Sequence, residues 1–207
     1  VSTRPAPIAW PPQPVTLEGQ YLRLEPLSAS HAEGLAEAIR DGGLHTLWYT
    51  LVPPPDSVCA WIDTALALQK AGRALPFVVR RLRDARIVGS TRYMNIEDSQ
   101  RRLEIGTTFY AASVQRSGLN TECKRLLLAH AFEQLECLAV EFRTHWFNFR
   151  SREAIARLGA RQDGVLRNHQ RLPDGSLRDT VVFSIIDTEW PTVRQHLGFR
   201  QARLPAP

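Results

Sequence analysis

The sequence predicts an α+β chain, and three observations carry that expectation. Three runs of alternating apolar and polar residues, "LPFVVRRL", "RIVGSTRYMNI" and "RRLEIGTTFY", follow one another across polar turns of hairpin length, as in an antiparallel meander. Leu128, Ala131, Phe132 and Leu135 recur at the i, i+3, i+4, i+7 spacing of a helix buried along one face. "PDGS" separates "DGVLRNHQRL" from "LRDTVVFSII" and marks a second hairpin.

The remaining elements fill in around these. Residues 1–14, "VSTRPAPIAWPPQP", are rich in proline, which removes backbone donors and favours extended conformations, so an arm without regular structure is expected there. "QYLRLEPL" alternates as a strand. Ser30 to Glu33 has the spacing of a capping box for a helix through about Arg40, which Gly42 and Gly43 end. Asp56 is placed to cap a second helix toward Gly72, with Trp61, Ala65 and Leu68 on one stripe. The meander, the Leu128 helix and a strand "AVEFRTHWF" follow, and then "NFRSREAIARLG" reads as a short helix stopped by Gly159. After the second hairpin, Asp187 is placed to cap "TEWPTVRQHL", with Pro191 in its first turn, and "QARLPAP" reads as a loose tail. A single domain over about residues 15–200 is the expectation.

Composition narrows the classes. The 207 residues, 43% apolar, suffice for one core, and no run approaches the roughly 18 apolar residues of a membrane span. With no secretory leader legible, a cytoplasmic protein that does not engage membranes is expected. Cys59, Cys123 and Cys137 are too scattered for a disulfide framework or a zinc site, and are expected to be buried small residues with no metal bound. The net charge of +5 weakly favours anionic partners. The arginines at 80, 81, 83, 86, 101 and 102 lack an interleaved aromatic surface, so they read as a solvated hairpin rim and no nucleic-acid partner is expected. No G-x-S-x-G elbow and no G-x-x-x-x-G-K loop is present, which argues against hydrolase and nucleoside triphosphate chemistry.

Two places carry chemistry. "VQRSGLNTE", residues 114–122, puts a glycine between a strand and a helix start, where unpaired N–H groups and the positive end of a helix dipole suit an anion; an ordinary strand-to-helix turn has the same pattern. Alternation on the preceding strand sets Glu104, Gly106, Thr108 and Tyr110 on one face, so Glu104 shares its face with a residue that has no side chain. A surface carboxylate paired with Arg92 or Arg102 is the alternative. Glu141, Arg143 and His145 share a face of the later strand, suited to solvent or substrate contact. Asn148 and Ser151 form an N-x-x-S helix start, with Asn148 a good N-cap.

The element order, with "LEIGTTFY" leading into "VQRSGLNTE" and "HWFNFRSREAIARLGA" further on, resembles the GNAT superfamily of acetyl-CoA-dependent N-acetyltransferases, most nearly its RimJ/RimL-like branch. The resemblance implies a three-layer α/β arrangement with a mixed, mostly antiparallel central sheet of about seven strands flanked by helices. It implies acetyl-CoA as co-substrate, held through Phe109, Tyr110, Gln115, Arg116, Ser117, Gly118, Leu119, Asn120, Thr121 and Asn148. Asn120 departs from the family pattern, which has Gly or Ala there. The same resemblance makes Glu104 the base and Ser151 the proton donor to the leaving sulfur, with Tyr110 or Tyr93 as substitutes, and places main-chain amides around Thr108 to Tyr110 at the developing oxyanion. A peptide or protein N-terminal amine is the expected acceptor, framed by "HTLWYTLVPPP" and "HQRLPDGSLRD", with Trp48, Tyr49 and His169 as walls; a small amine or antibiotic is the alternative, as is a non-catalytic coenzyme A binder. A monomer or homodimer is expected.

Overall fold

The computed structural model describes residues 10–205. Residues 1–9 of the expected arm and 206–207 of the expected tail lie outside the described residues. Eight strands form one sheet: β1 (Leu17–Glu18), β2 (Leu22–Pro26), β3 (Ala74–Arg81), β4 (Ile87–Glu97), β5 (Arg102–Tyr110), β6 (Ala139–His145), β7 (Arg161–Arg171) and β8 (Leu177–Ile186), in the order β1-β2-β3-β4-β5-β6-β8-β7. Every neighbouring pair is antiparallel except β5 and β6. The strand beyond the expected seven is β1, whose two residues are too short to leave an alternation pattern.

Helices cover both faces. α1 (Ala32–Arg40) and α2 (Val58–Lys70) bury Leu35, Ile39, Val58, Ile62 and Ala65 against Val78 and Phe109. On the other face α3 (Leu119–Ala129), continued by a π-helical turn His130–Gln134, joins α5 (Trp190–Gln201) over Leu75, Phe77, Leu103, Ile105 and Val140. The side-chain period of two in the strands divides these residues between two cores, which gives three layers. α4 (Phe149–Ala156) follows β6 and ends before Gly159, whose φ of +99° suits a residue without a Cβ.

Several local expectations differ in detail. α1 begins at Ala32, after a 3-10 turn Ala29–His31 in which the Ser28 amide donates to His31 Nδ1 at 3.1 Å, so the cap is built from Ser28 and His31 rather than Ser30 and Glu33. Asp56 lies inside the 3-10 turn Pro55–Ser57 that precedes α2, and the buried stripe of α2 is Val58, Ile62 and Ala65. Cys123 and Cys137 are buried, but Cys59 is exposed. The arginine rim is largely paired with acids: Arg80 with Glu25, Arg81 with Asp84, Arg101 with Glu136 and Arg102 with Glu141. No helix of the described residues is long and apolar enough to cross a membrane.

Candidate active site

β5 and β6 pair only through Arg102–Ala139, Leu103–Val140 and Glu104–Glu141, although β5 runs on to Tyr110 and β6 to His145. The sheet therefore forks at Glu104. Because this pair is parallel, both strands leave the fork toward the same edge, where β5 delivers the loop before α3 and β6 delivers the start of α4. Open α/β sheets bind ligands at such a place, outside the carboxyl ends of parallel strands.

A bulge shapes the β5 side of the fork. Ser90 pairs with Phe109 and Arg92 with Gly106, so Thr91 alone faces both Thr107 and Thr108, and Thr107 takes a φ of +48°. The extra residue flips the faces expected from simple alternation. Glu104 does not share its face with Thr108 and Tyr110: Leu103, Ile105 and Tyr110 pack with the α3 core, Thr108 reaches α3, and Phe109 turns into the α1/α2 core. Ala111 donates to the Val88 carbonyl and Gln115 Nε2 donates to the Tyr110 carbonyl at 3.0 Å, so the main chain of Tyr110 faces away from β4 and into the fork. Strand alternation gives Thr108 the same direction. These amides are therefore directed into the open part of the fork, as preorganised donors need to be.

Glu104 is 5% exposed at the apex of the fork. Asn95 Nδ2 donates to its Oε2 at 2.7 Å, and Arg143 Nε lies 3.6 Å from the same oxygen. Burial raises the carboxyl pKa above its ordinary value, and Arg143 and Asn95 oppose that rise without cancelling it. Gly106 supplies the room, since a Cβ there would lie 2.8 Å from Glu104 Oε1 and 2.6 Å from Met94 Sδ. The carboxylate itself fills the space that alternation assigns to substrate.

The loop before α3 differs from expectation in who does what. Gly118 is the N-cap with a right-handed φ of −67°, and the left-handed turn residue is Arg116 at φ +60°. Asn120 is consequently the second helical residue and not a cap. The helix ladder opens with Glu122 N donating to Gly118 O, and Leu119 N donates to Ser117 Oγ at 3.3 Å. Among the described residues, the Asn120 and Thr121 amides have no acceptor, as the first turn of a helix leaves them. Gly118 N does have one: it donates to the Pro205 carbonyl at 3.0 Å. The tail thus lies against this helix start, and its carbonyl shows that the Gly118 amide points outward to an acceptor.

Across the fork, Asn148 Oδ1 accepts from Ser151 N at 3.1 Å, and this caps α4 with Ser151 in its first turn. Neither tyrosine is placed to substitute for Ser151. Tyr93 is fully buried with its hydroxyl on the Leu127 carbonyl, and the Tyr110 hydroxyl is buried on the α3 side near Cys123. His145, at the open end of β6, is 3% exposed and not half-solvated. Its Nδ1 accepts from Phe147 N, its Nε2 is buried without a partner, and burial lowers its pKa. Trp48, Tyr49 and Phe147 surround its ring at centroid distances of 5.0, 6.4 and 5.8 Å. Thr180, its register partner on β8, hydrogen-bonds His169. Of the expected wall residues, Trp48 and Tyr49 therefore pack on His145, and His169 is linked to it only through Thr180.

Sequence reasoning missed Asn95, which a bulge in β4 brings to Glu104, and Lys124 of α3. Lys124 had a signal: it lies four residues before Leu128, on the stripe that the apolar periodicity marks as buried. Among the described residues, no group of three or more His, Cys, Asp or Glu side chains is placed to hold a metal ion.

The family described as acetyltransferase (GNAT) domain matches residues 21–161. YdaF of Bacillus subtilis (strain 168), provisionally named a ribosomal N-acetyltransferase, is 29% identical over 109 residues, 53% of this chain; the matched stretch spans 58% of YdaF. A GCN5-related N-acetyltransferase from Brucella melitensis superposes with a TM-score of 0.82 and 29% identity over 92% of this chain and 86% of its own. Mycobacterium smegmatis RimJ, solved with CoA-disulfide, has a TM-score of 0.75 and 22% identity over 96% and 98%, a likeness of fold.

Proposed function

The chain belongs to the acetyltransferase (GNAT) domain family, and from that premise we propose that it moves the acetyl group of acetyl-CoA to an amine, with a peptide or protein N-terminal α-amine as acceptor. The observation that carries this reading is the fork: a desolvated carboxylate at its apex, outward main-chain amides along one prong, and helix starts at the ends of both.

The residues fit acetyl-CoA. The amides of Gly118, Asn120 and Thr121 meet the pyrophosphate, aided by the dipole of α3, once the Pro205 carbonyl has moved off Gly118. When bound, acetyl-CoA supplies an acyl group on a thiol that leaves readily. Glu104, directly or through water, takes the proton of an ammonium; a model α-amine has a pKa of about 8, so near neutrality much of it is protonated, and a raised carboxyl pKa brings base and acid closer. The Thr108 and Tyr110 amides stabilise the charge that grows on the carbonyl oxygen. Asn148 holds the first turn of α4, and Ser151 gives a hydrogen bond to the departing sulfur. His145 and its aromatic neighbours form the acceptor wall.

The names of the YdaF and RimJ relatives support a protein acceptor, and a single domain in the cytoplasm is part of the same proposal. The test measures thiol release from acetyl-CoA with short peptides of varied first residue and with simple amines, beside calorimetry of acetyl-CoA alone. Peptide-dependent release is the expected result. Release with simple amines only would overturn the acceptor, and binding without release would overturn catalysis.

A further inference from the structure

Lys124 is one of two lysines in the chain and is 6% exposed on the inner face of α3. Its Nζ donates to Thr108 Oγ1 at 2.7 Å and to Thr91 Oγ1 at 3.3 Å, and the two hydroxyls are 2.8 Å apart. These threonines are the two sides of the bulge: Thr91 is the single residue on β4, Thr108 one of the two facing it on β5. Among the described residues Lys124 forms no ion pair. The adjacent acid, Glu122, is committed elsewhere, accepting from the amides of Gln20 and Tyr21 and from Gln201 Nε2. A buried cation without a counter-ion costs free energy that an apolar side chain of the same length would avoid, so its presence at the bulge calls for a function.

We propose that Lys124 is a positioning residue for acyl transfer: its ammonium ties the Thr91 and Thr108 hydroxyls across the bulge, holding the Thr108 and Tyr110 amides toward the fork and setting a positive charge behind them. This rests on the acetyl-transfer reading of the site. Cys123, its neighbour on α3, is the titratable group that acts on the ammonium; Tyr93 of β4 and Tyr110 of β5 lie in the same α3-side core, and burial raises the pKa of all three. Burial lowers Lys124 to about 8, so mild alkali discharges the lysine before its neighbours.

The test uses the full chain, acetyl-CoA and an alanine-initiated peptide. Lys124→Met and Thr108→Val should each lower kcat by about ten- to a hundredfold, because amides displaced by a fraction of an ångström lose alignment, with KM for acetyl-CoA within about twofold. Thr91→Ser should keep near-normal kcat, and the double variant of Lys124→Met with Thr108→Val should be no worse than either single one. The wild-type kcat should fall above about pH 8, a limb absent from both variants. Additive losses, a change confined to KM, or an alkaline limb that survives in both would overturn the proposal. Amide hydrogen exchange, which needs no turnover, separates it from the broader reading: exchange at Thr108–Tyr110 should accelerate in Lys124→Met, and unchanged exchange overturns the clamp. A wild type that releases no thiol with any amine overturns acetyl transfer instead. If Lys124→Met fails to fold, Thr108→Val and Thr91→Ser carry the same comparison.

Discussion

Replacing Lys124 by methionine should make the protein more stable while making it slower. Burial lowers the ammonium to about 8 in the fold from an ordinary 10.5, on the order of 3 kcal/mol of penalty for holding the charge indoors. Methionine keeps the length of the side chain and removes the charge; the Thr91 and Thr108 hydroxyls are within reach of each other, so neither is left unsatisfied, although nothing then holds the pair to α3. Below pH 8 both folded and unfolded chains carry the proton and the full penalty applies. Between 8 and 10.5 the folded lysine is neutral while the unfolded one remains charged, so the wild type recovers stability as pH rises, and above 10.5 the difference is gone. The variant should therefore melt on the order of 10 °C higher at pH 7. By pH 9.5 about 2 kcal/mol of the gap should have closed. Thermal and denaturant unfolding of both proteins from pH 7 to 10 measures this. A variant less stable than wild type at pH 7, or a gap that stays constant across the window, refutes the reasoning.

Glu104→Gln should lower kcat by about a hundredfold or more, as loss of a general base does. It should also erase the acid limb of the pH–rate profile, which in the wild type lies above the ordinary carboxylate range because burial raises Glu104; an unaltered limb would exclude it as base. Ser151→Ala should cost less than Glu104→Gln, since a thiol with a pKa near 8.5 leaves without much help; kcat measured side by side decides the ranking. Cysteines at Gly118 and Leu204 should lock the tail onto the helix start, because a Cβ at 118 lies 3.6 Å from the Leu204 Cβ, within disulfide range. With Cys59 changed to serine, the oxidised protein should lose acetyl-CoA affinity by calorimetry and recover it on reduction. Equal affinity in both states would show that the pyrophosphate binds elsewhere.

Much of the frame was legible because it rests on periodicity. The meander, the second hairpin and the buried stripe from Leu128 to Leu135 each repeat over enough residues for burial to dictate the pattern. What was not legible is aperiodic. The bulge at Thr107 inserts one residue, and one residue reverses the face of everything after it, which is why Glu104 and Tyr110 share a face in the sequence and not in the fold. The left-handed residue of the loop is Arg116, a residue type that carries no signal of a positive φ. The alternation of β6 alone suits His145 to solvent or substrate contact, while the Trp48 that covers it comes from the α1–α2 loop far away in sequence. Glu104 was the easier case: Gly106 two residues on leaves space that only a neighbour on the same face uses.

The fork gives the sheet four margins instead of two. Five strands, β1 to β5, and three, β6, β8 and β7, are joined along a seam of only three residue pairs, Arg102–Glu104 against Ala139–Glu141. The shared core under α3 and α5 holds the paired end together, so the unpaired stretch beyond Glu104 and Glu141 is where the two leaves can spread at least cost. A ligand lodged between the leaves does more than occupy a cleft: it fastens them together, and its binding should slow proteolysis and exchange in strands it never touches.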